Sequence, residues 1–185
     1  MENMIKVANY EDFIPEDKVY QFECDMEDGK YEEWIDEYPE HILSIFGSFL
    51  TFGGTSVTEA DIVYFLNEGI DINVISDAYP CEEEFTTALN FACEHRNMHL
   101  IYYLIQHGAD VNKMNTSKIT PLEAALMGHG MLDLEKFDEA EKCVKMLLDA
   151  GATNQLRKFI LEDFCEDYMK NSLYLKDVLT NSKLL

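Results

Sequence analysis

His95 and His99 stand four residues apart with Cys93 just before them, a spacing that could supply half of a zinc site if all three shared one helix face. The further carboxylate or thiol ligands that zinc requires are missing. Gly128-His129-Gly130 resembles part of a phosphate loop, but no Lys-Ser or Lys-Thr pair follows it and no strand pattern precedes it. Paired carboxylates recur, at Glu32-Glu33, Asp36-Glu37 and Glu82-Glu83-Glu84. Acid–base catalysis needs two environments that push the pKa values of such a pair apart, and a solvated charge run does not supply them. The five cysteines, Cys24, Cys81, Cys93, Cys143 and Cys165, are odd in number and widely scattered, which suits free thiols in a reducing compartment. With no nucleophile beside a base and no cofactor fingerprint, the expectation is a protein that is not an enzyme, with no catalytic residues, metal or cofactor.

The elements that carry these residues repeat. Asp61 to Asn73 (DIVYFLNEGIDIN), His99 to Asn112 (HLIYYLIQHGADVN) and Cys143 to Asn154 (CVKMLLDAGATN) each place apolar residues at helical spacing, then glycine, then a polar turn. Upstream of them lie LTFGG from Leu50, LNFAC from Leu89 and LEAAL from Leu122. Leu50 to Gly69 and Leu89 to Gly108 both span 19 residues, and Gly108 to Leu122 spans 14, so the period is 33. In this register His95 and His99 fall on opposite sides of a turn at Arg96-Asn97 and share no face. Two insertions interrupt the period: six residues in the loop Val74 to Thr86, and ten near Gly130 to Glu139. Leu89, Ala92 and Cys93 are expected to face Leu100, Ile101, Leu104 and Ile105. Ala92 and Ala125 keep neighbouring helices close.

The period, Thr120-Pro121-Leu122 with Ala124 and Ala125, Gly128-His129, and Gly108-Ala109-Asp110-Val111-Asn112 together resemble the ankyrin repeat, over about Leu50 to Asn154. The resemblance implies an all-α solenoid of helix pairs joined by short hairpin-like loops and closed by helical caps. Gly69, Gly108 and Gly151 would leave each outer helix at positive φ. Asp71, Asn73, Asp110 and Asn112 would form the turns by bonding nearby backbone amides.

Three parts follow: an acidic divergent cap over 1–42, repeats over 43–154 and a helical cap over 155–185. Residues 1–40 hold 14 acids and three lysines, a net of −11, whereas the last 31 residues are neutral. Pro15-Glu16-Asp17 reads as a helix start and Asp28-Gly29 as its stop, although Tyr20, Phe22, Cys24 and Met26 also alternate as a strand would. Pro39 opens a further helix, and Tyr31, Trp34 and Tyr38 are spaced to pack on the first repeat. Phe159 to Leu179 suggests one or two more helices.

The same resemblance implies that the loops and first helices form a concave surface for another protein. Its residues here would be Asp77, Tyr79, Glu82, Glu83, Glu84 and Thr86 in the long loop, with Glu94, His95, Asn115, Thr116 and Lys118 alongside. With 36 acids against 14 Lys and Arg, the formal charge of −22 repels nucleic acid and anionic lipid and suits a basic protein partner. That pattern is similar to small acidic immunity or antitoxin proteins that inhibit a toxin such as a basic nuclease. An adaptor or scaffold whose acidity serves solubility is the other expectation. The longest apolar stretch, Ile42 to Leu50, is broken by Ser44, Gly47 and Ser48 and falls short of the roughly 20 residues a membrane span needs. The first residues lack a basic segment followed by an apolar run, so a cytoplasmic location is expected.

Overall fold

The structure, a computed structural model, describes residues 5–77, 85–128, 137–158, 160, 162 and 170–184. Its N-terminal cap begins with α1 (Tyr10–Phe13). Pro15 precedes a 3-10 turn at Glu16–Lys18 that runs into α2 (Val19–Glu27), and the chain leaves this helix through Asp28 and Gly29, the latter at φ 75°. The helical period wins over strand alternation: Phe22 and Met26, four apart, are fully buried, whereas Tyr20 is 78% exposed. Next come α3 (Glu32–Glu37), a 3-10 turn at Pro39–His41 and α4 (Ile42–Gly53). Tyr31 docks the cap on the array, with its ring 4.7 Å from both Phe49 and Phe65 and its hydroxyl donating to Asp61 Oδ1 at 2.6 Å. Trp34 packs inside the cap, edge-on to Phe22, and its Nε1 donates to Asp25.

Beyond α4 come α5 (Glu59–Asn67), α6 (Ala88–Glu94), α7 (Met98–Gln106), α8 (Pro121–Met127) and α9 (Phe137–Asp149). Thr58, Thr87, Asn97 and Thr120 start four of these helices, each side chain accepting the backbone N–H three residues on. Buried apolar residues then recur at helical spacing, as with Ala140, Cys143, Val144 and Leu147. Ala92 and Ala125 are fully buried, as close packing requires, while Ile105 lies half-buried at the edge of its face. Gly69, Gly108 and Gly151 end their helices at φ 94°, 89° and 94°.

Asp71 and Asp110 act locally, each accepting the backbone N–H two residues on at 2.9 Å. The asparagines reach further than the turn chemistry suggests. Asn73 Oδ1 accepts from Asp110 N–H at 2.7 Å, and its Nδ2 donates to the Gly108 carbonyl. Asn112 repeats the pattern one unit later, accepting from Thr153 N–H at 2.8 Å and donating to the Gly151 carbonyl. These bonds tie adjacent units, because the loops stack one period apart and bring each side chain level with the next loop's backbone.

Two strands of two residues each, β1 (Gln155–Leu156) and β2 (Lys183–Leu184), pair in parallel and bring the chain after α10 (Leu173–Thr180) back to the chain that leaves the third unit. Leu175, Val178 and Leu179 are its buried face. Most of the stretch between β1 and α10 lies outside the described residues. Among the described residues no helix is long and apolar enough to cross a membrane.

Candidate binding face

The face is built from loops held together by backbone pairing. Ser76 and Thr86 exchange two backbone hydrogen bonds, of 3.0 and 3.1 Å, which pair the two ends of the long loop as an antiparallel bridge. Thr116 N–H then donates to the Phe85 carbonyl at 3.1 Å, and its Oγ1 lies 3.2 Å from both Phe85 N and O, joining this loop to the next. Asn115 Oδ1 accepts from Ile119 N–H at 2.8 Å and folds the second loop on itself. Lys118, exposed at the end of that turn, adopts φ 64°.

The expected site residues separate into groups. Thr86 and Asn115, at 2% and 7% exposure, are built into the loops and serve their structure rather than their surface. Asp77 and Lys118 are exposed, and Thr116 is half-buried between the loops. Glu94 and His95 lie at the far end of α6, a helix length of about 10 Å from the loop end. There the His95 ring packs on Phe91 at 4.2 Å, with Nδ1 2.9 Å from the Phe91 carbonyl oxygen. Tyr79, Glu82, Glu83 and Glu84 lie outside the described residues, as does most of the second insertion. His95 caps α6 and His99 follows Asn97 into α7, so the turn separates them. Among the described residues no three His, Cys, Asp or Glu side chains are grouped to hold a metal ion.

Part of this face carries no strong sequence signal. Residues 5–9 run as an extended arm beside the long loop: Ile5 N–H donates to the Ile75 carbonyl at 3.1 Å, and Val7 N–H donates to Asp77 Oδ1 at 2.8 Å. Ser44 Oγ, on α4, donates to the Ala8 carbonyl at 2.8 Å and fixes the arm across the helix. A groove of about 400 Å³ remains between arm and helix, lined by Tyr10, Ser44, Ser48, Thr51, Phe52 and Asp77 among others. Its one trace in the sequence is Ser44, Ser48 and Thr51, hydroxyls at helical spacing within an apolar helix.

Carboxylates also serve the aromatics of the N-terminal helices. Burial, reinforced by the hydrogen bond to Glu23, pushes the Tyr10 phenol up to about 12. Burial and the Asp61 bond move Tyr31 in the same direction. Buried thiols follow the desolvation rule as well: Cys93 is raised well above its ordinary value and Cys143 to about 12.

Compared with known proteins, the chain matches the family described as Ankyrin repeats (3 copies) over residues 56–158. No curated protein matches it.

Proposed function

The chain belongs to the ankyrin-repeat family and is a protein–protein interaction module, and we propose that it binds a basic protein in the cytoplasm and inhibits it, as an immunity or antitoxin protein would. The observation that supports this reading is the formal charge of −22, with a net of −11 in residues 1–40 alone. Such a field raises the association rate with a cationic partner and disfavours like-charged competitors. Inhibition then requires only that the acidic module cover the surface with which the partner holds its own anionic substrate.

The test is to capture the partner from native lysate at low salt and to measure its association rate against ionic strength. Replacing Glu82, Glu83 and Glu84 together with Gln keeps their size and removes three charges. Association should slow at low salt, and much of the difference from wild type should vanish by about 0.5 M salt, where screening shortens to roughly 4 Å. Binding that inhibits the captured protein completes the reading. Equal rates at low salt, or a partner held equally at both ionic strengths, would return the adaptor reading to first place.

A further inference from the structure

We propose that the groove between the N-terminal arm and α4 receives an arginine side chain of the partner, with the guanidinium on Asp77 and the aliphatic stem against Tyr10 and Phe52. This rests on the basic-partner reading and gives it a place on the surface. The volume, about 400 Å³, is near the lower end of the roughly 300–1,000 Å³ range of ligand clefts, so it suits a single side chain rather than a folded surface.

The lining selects a cation that donates hydrogen bonds. Ser44 Oγ gives its proton to the Ala8 carbonyl and Thr51 Oγ1 gives its proton to the Gly47 carbonyl, so both oxygens can act only as acceptors toward the groove. Asp77 Oδ1 accepts from Val7 N–H, while its Oδ2 accepts from none of the described residues and is left for a ligand. None of the described lining residues is Lys, Arg or His, so an anion finds no counter-charge among them. One wall is aromatic: the rings of Tyr10 and Phe52 are 5.9 Å apart and near-perpendicular. The Glu23 carboxylate, 2.8 Å from the Tyr10 hydroxyl, adds negative potential to that wall. A planar guanidinium can lie on such rings while its fork reaches a carboxylate, which a compact ammonium does less well. An apolar plug would leave Asp77 and the hydroxyls facing a dry surface.

The probe is N-acetyl-arginine amide, titrated into the full chain and followed by backbone amide shifts, with the isosteric but neutral N-acetyl-citrulline amide as control. Saturable shifts at Val7, Asn9, Ser48 and Asp77 are expected with arginine and not with citrulline. Asp77→Asn keeps the acceptor for Val7 N–H and removes the charge, and it should weaken arginine binding at least fivefold. Ser48→Met, which fills the groove without touching charge, should do the same. Equal shifts with citrulline, or arginine shifts spread over the acidic cap and indifferent to both substitutions, would overturn the proposal. A captured partner whose salt-dependent association is unaffected by both substitutions would remove the groove while leaving the basic-partner reading intact. A partner without salt dependence would remove that reading itself.

Discussion

Glu123 Oε1 accepts from both the backbone N–H and the Nε of Arg157, at 2.9 and 3.0 Å, with the Glu123 side chain fully buried. Its other oxygen accepts from Thr120 N–H at 3.1 Å, so one carboxylate closes the start of α8 and anchors the chain leaving the third unit. Removing one partner of a buried ion pair strands the other charge. Arg157→Ala should therefore lower stability by about 3 kcal/mol, read from the denaturant midpoint. An unchanged midpoint would show that the carboxylate is solvated on losing its partner.

Asn112→Ala removes the bonds to Thr153 N–H and to the Gly151 carbonyl. A loss of about 1–3 kcal/mol is expected, with faster hydrogen exchange at the Thr153 amide. Asp110→Ala should instead expose the Asn112 amide, which its carboxylate holds at 2.9 Å. Identical exchange patterns in the two variants would contradict the division into inter-unit and local bonds.

At Gly108, φ is 89° and an added Cβ would meet nothing within 4 Å. Substitution there tests backbone strain without steric clash. Gly108→Val should cost about 1–3 kcal/mol, and Gly108→Asn less, since asparagine tolerates the left-handed region better. Equal midpoints for valine and asparagine variants would place the effect elsewhere.

Alkaline pH should loosen the cap. Tyr10 has its folded pKa raised, by burial and then by Glu23, to about 12, and Tyr31 shifts the same way by burial and then by Asp61. A raised folded pKa means that this stability is present below the unfolded value of about 10 and is lost as pH rises through the folded value. Melting temperature should thus fall between about pH 10 and 12, with a shallower fall in Tyr10→Phe and Tyr31→Phe. Unchanged alkaline slopes in both variants would count against these phenols as the source.

What could be read from the sequence was what the chain encodes within one unit. The spacing from Leu89 to Gly108 located a helix pair because apolar period, turn and glycine exit are local signals. Pro15 and Gly29 bounded α2 for the same reason. Contacts between distant segments leave weaker traces. Asn73 looks like any turn asparagine until the next loop is stacked above it, and a ladder of two residues such as β1 with β2 is too short to show strand alternation. The arm at Ile5 was missed because its partner, the loop at Ile75, supplies backbone atoms whose pairing no side-chain type announces. Thr86 and Asn115 look like surface residues by type, yet both are buried, because their polar groups serve the loop interior.

Asn154 stands where Asn73 and Asn112 stand in their units, yet only half of its bonding is made. Its Nδ2 donates to the Val178 carbonyl at 2.9 Å, while its buried Oδ1 finds no donor among the described residues. In the preceding units that oxygen receives an amide from the following unit. Val178 lies on α10, so this helix answers one of the two groups that a following unit answers in the preceding repeats. The amide of a further unit would find in Asn154 Oδ1 an acceptor already in position.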